Sequence, residues 1–355
     1  MTIKTLIGQK VKDAAVKLAF YEWAYGVLGE GDVDIGILGE FVVGLYIGGL
    51  SARRRERQDF DLVTDGGVSI EVKTSVGTLP APTNRTLVYR WSIACQRARL
   101  DGNAPLADWW VFLAAAFPKN AGRFYDVFDA RHWRVYAVPR DAVCELSRNR
   151  PNTLGEKTLK KAGFSPITPD DLARMFPQTD GETARLAREH TAQANLLLRL
   201  AFFRWAYGDL TEGFNAGRFA EFQVMRVLCE RPFARRRAFG AYDLVSRHGH
   251  RLEVKYSRTL SPRKDGHTSY FFLVPIRGKE KVRVADHFVF CTLAAPNLNP
   301  VPLENWRFQW VPTSALARNS RSVLSAALEA RGFARMTAKE LVRTEALESE
   351  SGFLG

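Results

Sequence analysis

The chain carries its own sequence twice, and no other feature constrains its fold as strongly. KLAFYEWAYGVLGEG (17–31) aligns with RLAFFRWAYGDLTEG (199–213), with ten of fifteen positions identical, and ARRRERQDFDLV (52–63) aligns with ARRRAFGAYDLV (234–245), with seven of twelve identical, both at an offset of 182 residues. The correspondence continues through IEVKTS (70–75) and LEVKYS (252–257), ADWWVF (107–112) and ADHFVF (285–290), WRVYAVPRDAV (133–143) and WRFQWVPTSAL (306–316), and GFSPITPDDLA (163–173) and GFARMTAKELV (332–342). Solenoid units run about 20–50 residues, so a period this long denotes two whole domains. Pro, Gly and polar residues cluster in FPQTDGE (176–182) ahead of a new amphipathic segment, and such clusters mark loops. The expected domains are 1–178 and 179–355.

A chain of 355 residues is long enough for two such domains, and 46% hydrophobic with 25% charged residues is a globular composition. No apolar run approaches the roughly 18 residues that span a bilayer, and MTIKTLIGQKVKDAAVK lacks a signal-peptide apolar core. The expectation is a cytoplasmic protein without membrane contact. Cys95, Cys144, Cys229 and Cys291 form no CxxC pair, so neither zinc nor a disulfide framework is indicated and reduced, buried thiols are expected. Lys and Arg number 51 against 38 Asp and Glu, a net charge of +13, which favours a polyanionic partner and nucleic acid first among them.

Within each copy the pattern reads as an amphipathic helix (13–25 and 184–206), a second helix (GEFVVGLYIGGL and GRFAEFQVMRVL), and then strands. DFDLV-TDGG-VSIEVK reads as a hairpin, with Gly66 and Gly67 available for positive φ in the turn. The apolar runs WWVFLAAAF (109–117) and HFVFCTL (287–293) read as buried central strands. Each domain is therefore expected to be α/β, a mixed central sheet flanked by helices.

The chemistry concentrates at the hairpin. Side chains two apart on a strand share a face, so Glu71 and Lys73 point one way while Ile70 and Val72 point into the other layer, and Asp61 near the end of the partner strand comes beside Glu71. The second copy repeats this as Asp243, Glu253 and Lys255, with ten residues from Asp to Glu in both. Two carboxylates held together repel unless something positive lies between them, and a hard divalent cation with oxygen ligands meets that need. Upstream, Glu40 and Glu221 occupy nearly equivalent places on otherwise apolar helical faces, where a carboxylate costs free energy unless it is partnered.

These residues resemble the PD-(D/E)XK nuclease superfamily, the fold of many restriction endonucleases and DNA-repair nucleases. The resemblance covers 39–75 and 218–257 and is looser beyond, and Phe60 and Tyr242 stand where the family's motif has Pro. It implies duplicated restriction-endonuclease-like domains, with Asp61, Glu71, Asp243 and Glu253 as ligands of Mg²⁺, or of Mn²⁺ in its place. It further implies Lys73 and Lys255 as catalytic lysines, and Glu40 and Glu221 as supporting carboxylates. A lone E-x-K on a strand is usually a solvated surface pair, but here the turns have diverged (VTDGGVSI against VSRHGHRL) while Asp, Glu and Lys have not.

ARRR precedes each hairpin, and Arg53, Arg54, Arg55, Arg235, Arg236 and Arg237 are candidate phosphate contacts, since the guanidinium suits bidentate phosphate binding. His248 and His250 read as surface residues, and Trp23 and Trp205 as core. The sequence thus points to a metal-dependent DNA endonuclease of restriction or phage defence, acting on double-stranded DNA. Its two sites would each cut one strand, in a monomeric pseudo-dimer or a higher homo-oligomer. A structure-specific repair or recombination nuclease, and a DNA-binding protein with one or both sites vestigial, are the alternatives.

Overall fold

The computed structural model describes residues 3–28, 33–47, 60–64, 66–76, 89–93, 107–115, 128, 132–148, 153–176, 189, 191–210, 212–229, 242–258, 260–262, 268–274, 284–295, 298–316 and 322–352. The chain is mixed α/β, with two four-stranded mixed sheets of the same design. In the first, β1 (Leu62–Val63), β2 (Ser69–Val76), β4 (Trp109–Ala115) and β5 (Trp133–Pro139) lie side by side in that order, β2 parallel to β4 and the other pairs antiparallel. In the second, β7 (Leu244–Val245), β8 (Arg251–Tyr256), β11 (His287–Leu293) and β12 (Trp306–Pro312) repeat the order and the senses. The strands read as central from their unbroken apolar runs, β4 and β11, do occupy inner positions and are buried almost throughout.

Each sheet has helices on it. Helix α2 (Ile35–Ile47) packs on β2, and α7 (Gly213–Leu228) on β8. Gly39 makes the first of these contacts close: a Cβ there would come within 1.8 Å of Thr74 Oγ1 and 3.1 Å of Leu113 Cδ1. Thr74 and Leu113 are register partners, so α2 covers the Ile70–Val72–Thr74 face. The opposite face is closed by a cluster of Trp91, Trp110, Phe112, Tyr136, Val143 and Leu159, with α3 (Arg140–Ser147), α4 (Glu156–Lys161) and a small two-stranded sheet of β3 (Arg90–Ser92) with β6 (Thr153–Gly155). A three-stranded sheet of β9 (Leu260–Pro262), β10 (Thr268–Leu273) and β13 (Ser322–Leu324) stands beside the second sheet, followed by the short α8 (Ser325–Glu329). The last helix of each copy starts with a reciprocal cap. Thr168 and Asp171 bond each other's backbone N–H at α5 (Pro169–Met175), as Thr337 and Glu340 do at α9 (Ala338–Gly352).

The first helix of each copy packs with the other copy. The compact units are Tyr25–Gly208 on the one hand and Met1–Ala24 with Asp209–Gly355 on the other, whereas the repeat divides the sequence at 178/179. Phe20 on α1 (Ile3–Tyr25) meets Phe219 edge-on at 5.0 Å and Phe222 at 5.7 Å, both on α7 of the second copy. Conversely, Phe202 and Trp205 on α6 (Ala192–Tyr207) pack on Phe41 of α2, in the first copy. Both exchanged helices carry a buried Trp at the equivalent place, Trp23 and Trp205. Thr191 accepts the Ala194 N–H at the start of α6, and Gly208, at φ 86°, ends it.

Cys144, Cys229 and Cys291 are unpaired thiols; Cys291 is buried, and the other two are partly exposed. Cys95 lies outside the described residues. No helix among the described residues is long and apolar enough to cross a membrane.

The exchange has a direct consequence for excised fragments. Residues 25–208 keep α6 over Phe41 and should unfold in one cooperative urea transition. Residues 1–178, cut at the repeat boundary, lose Phe202, Phe203 and Trp205, each worth about 1.5–3 kcal/mol when buried, and should bind a hydrophobic dye and unfold without cooperativity. Equal cooperativity for the two fragments would contradict the exchanged packing.

Candidate active site

Each hairpin is built the same way. Strand β1 holds only two residues against β2, through the pairs Leu62–Ile70 and Val63–Ser69, and β7 holds two against β8, through Leu244–Leu252 and Val245–Arg251. Thr64 closes the first turn, its backbone N–H donating to Val68 O and its Oγ1 accepting the Val68 N–H, and Ser246 does the same for His250. Positive φ is needed once per turn, at Gly67 (80°) and Gly249 (89°). Gly66 has no positive φ, so one glycine suffices where the sequence offers two.

Among the described residues β1 and β7 pair no further along β2 and β8, and an aspartate takes the next backbone N–H of the inner strand that faces them. Asp61 Oδ2 accepts the Val72 N–H at 2.7 Å, and Asp243 Oδ2 accepts the Val254 N–H at 2.8 Å. The register puts Asp61 opposite Glu71 and Asp243 opposite Glu253, on one face. Lys73 Nζ lies 2.5 Å from Glu71 Oε1, and Lys255 Nζ lies 2.8 Å from Glu253 Oε1 and 4.0 Å from Asp243 Oδ2. Both glutamates are only 3% exposed, while the two lysines remain partly open to solvent. Asp, Glu and Lys therefore come together in both copies.

The helices that carry the two helix glutamates lie on the other face of each sheet, opposite Glu71–Lys73 and Glu253–Lys255. Glu40 and Glu221 are buried. Gly39 contacts Thr74, which fixes the side for α2. For α7, burial first and then the charge of Glu221 push the Cys291 thiol up, and Cys291 pairs in register with Tyr256 on the Leu252–Val254 face.

Arg53, Arg54, Arg55, Arg235, Arg236 and Arg237 lie outside the described residues. Among the described residues, no group of three or more His, Cys, Asp or Glu side chains forms a metal cage. The donor set at each hairpin is a pair of carboxylates, which meets the requirement of Mg²⁺ for one or two protein carboxylates with the remaining positions filled by water or phosphate.

Two aspartates given no role by the sequence reading anchor the same strands. Asp108 accepts the Ser69 N–H (3.0 Å) and Oγ–H (2.7 Å) and pairs with Arg140. Hydrogen bonds from Ser69 hold its carboxyl below the usual range. Asp286 accepts from Arg251, through the backbone N–H at 2.8 Å and the guanidinium, and is lowered by that side chain. The repeated Ala-Asp before β4 and β11 was the available signal.

A double-mutant cycle with Glu71→Gln and Lys73→Met, followed by urea unfolding, should return a favourable coupling of about 1–3 kcal/mol. That is less than for a fully buried pair because the lysine is partly solvated. A coupling near zero would reduce the pair to a surface contact.

Compared with protein-family models and with curated proteins, the chain finds no match in either.

Proposed function

We propose that the chain is a metal-dependent DNA endonuclease of the PD-(D/E)XK type, with one site in each hairpin. The observation that carries this reading is the duplicated constellation. In two copies with diverged turns, a buried glutamate, an edge-capping aspartate and a lysine two residues on from the glutamate occupy the same face in the same order. The short edge strand, the parallel inner pair and the helix laid on the central strand suit a restriction-endonuclease-like core in each half. A net charge of +13 suits a phosphodiester substrate.

In this reading Asp61 with Glu71, and Asp243 with Glu253, hold Mg²⁺ or Mn²⁺. Such an ion, when bound, supplies Lewis acidity at the phosphoryl oxygens and a nucleophile at neutral pH. The chain's own contribution is orientation and charge. Each aspartate is fixed by a backbone N–H of the central strand, each glutamate is shielded from water, and each lysine brings a positive charge to where negative charge develops on the phosphate. Glu40 and Glu221 support the site from the other side of the strand edge. ARRR before each hairpin supplies phosphate contacts that position the duplex. Two sites in one chain can each take one strand, as two subunits do in a dimer, and restriction or phage defence is the role that goes with such chemistry.

The alternative is a DNA-binding protein whose sites no longer turn over, and one observation favours it. The lysine ammonium already neutralises the carboxylate pair of the second hairpin, lying against Glu253 and 4.0 Å from Asp243.

Supercoiled plasmid and phage DNA, modified and unmodified, incubated with Mg²⁺ or with EDTA, separate the two. The endonuclease reading expects linearisation by the wild type with Mg²⁺ only, nicking by Lys73→Ala or Lys255→Ala alone, and loss of at least about 100-fold in the double variant, the scale on which catalytic electrostatic groups act. Retained shift of a DNA fragment without cleavage in any form would establish the binding protein instead.

A further inference from the structure

The corresponding ends of the two sheets differ in kind. In the first, Trp109 meets Phe176 edge-on, with ring centroids 5.5 Å apart. The repeat puts His287 at the place of Trp109, Glu345 at that of Phe176, His250 at that of Val68 and Trp310 at that of Ala137. These replacements meet in the second unit. His287 stacks on Trp310 with centroids 4.4 Å apart and receives the edge of His250 at 5.0 Å. Its Nε2 lies 2.7 Å from Glu348 Oε2, which also accepts from Trp310 Nε1 at 2.8 Å. Glu345 is fully buried, with Oε2 3.4 Å from His248 Nε2. Four buried polar atoms of the cluster lack a hydrogen-bond partner: His287 Nδ1, His250 Nε2 and both carboxylate oxygens of Glu345. His248 is exposed, as its place in a turn suggested, whereas His250 is half-buried, with its Nε2 enclosed. A native interior rarely leaves so many polar atoms unpartnered in one spot without a role.

We infer that this cluster is an acid-sensitive clasp, which holds the C-terminal helix α9 on the second sheet at neutral pH and loosens it as the pH falls. Three elements meet at the clasp: the β7–β8 turn through His248 and His250, the sheet through Asp286, His287 and Trp310, and α9 through Glu345 and Glu348. The groups facing His287 act in opposite directions. Burial and the neighbouring His250 disfavour its charged form, while Glu348 and Asp286 favour it, and the balance holds the imidazole below its ordinary value of 6.5. Protonation would put a proton on Nδ1, which has no acceptor.

The sign follows from linkage. A histidine whose value is lowered in the docked state binds fewer protons there than when released. Docking is thus fully favoured above about pH 6.5 and weakens as the pH falls below it. Helix α9 packs against α7, the helix that carries Glu221, so release would loosen the support of the second hairpin and leave the first, with its Trp109–Phe176 contact, unaffected. The inference stands whether or not the chain cleaves DNA.

Hydrogen–deuterium exchange of the full chain at pH 7.5 and pH 5.5, corrected for intrinsic rates, tests it. Peptides spanning 338–352 should exchange faster at pH 5.5, by up to about tenfold, the ceiling set by one pH unit below the ordinary histidine value, while peptides spanning 169–175 stay unchanged. His287→Phe should keep α9 protected at both values. Equal or greater protection of α9 at pH 5.5, or the same loss in His287→Phe, would overturn the clasp. If His287→Phe does not fold, the His287 ring-proton titration in the wild type decides: a midpoint below 6.5 upholds the clasp, and one at or above it overturns it.

Discussion

Glu71 and Glu253 are carboxylates inside a sheet, and the arrangement of each hairpin follows from keeping them there. Withdrawing an ionised carboxylate from water costs several kcal/mol even after relaxation, and at 3% exposure both glutamates bear that cost. A lysine two residues on, on the same face and still partly wet, supplies the opposing charge at 2.5 and 2.8 Å. That pairing needs room beside the central strand, which the short edge strand provides. The backbone N–H thereby exposed is taken by Asp61 or Asp243. Acid, base and second acid are thus three parts of one solution to a desolvation problem.

Duplication explains a second property, the exchange of first helices. The two helices are nearly the same sequence, so each sheet presents a surface that fits either one, and the chain seats α1 with the second copy and α6 with the first. Neither copy, cut at the repeat boundary, retains its full complement of buried aromatics. Part of the divergence between the copies lies in polar interior groups. Tyr136 donates to Glu156, which also pairs with Arg134 and Lys160, whereas the equivalent Gln309 and Ser325 bond each other without charge. At the other end of the sheets, a Trp–Phe contact stands against a cluster of His and Glu.

Much of this was legible in the sequence, for physical reasons that also mark where reading stops. The hairpin, the shared face of Glu71 and Lys73 and the inner positions of β4 and β11 follow from two-residue periodicity and turn chemistry, which are local. The partner of Asp61 was visible only in part: proximity to Glu71 could be read, but the bond to Val72 N–H depends on β1 ending after two residues. The face on which Glu40 lies depends on Gly39 admitting Thr74, a tertiary contact with no local signature. Helix exchange was illegible in principle, since two equivalent helices and two equivalent sheets can be matched either way. The half-burial of His250 depends on His287 and Trp310, about forty to sixty residues further along the chain, and nothing in the turn announces it.

The claim on which the functional account turns is that each carboxylate pair binds a divalent cation, and calorimetric titration with Mn²⁺ measures it without reference to any DNA substrate. The account predicts two ions bound per wild-type chain, one after Asp61→Asn or Asp243→Asn, and none in the double variant, with folding unchanged in all four. No binding by the wild type, or binding that survives in the double variant, would contradict it.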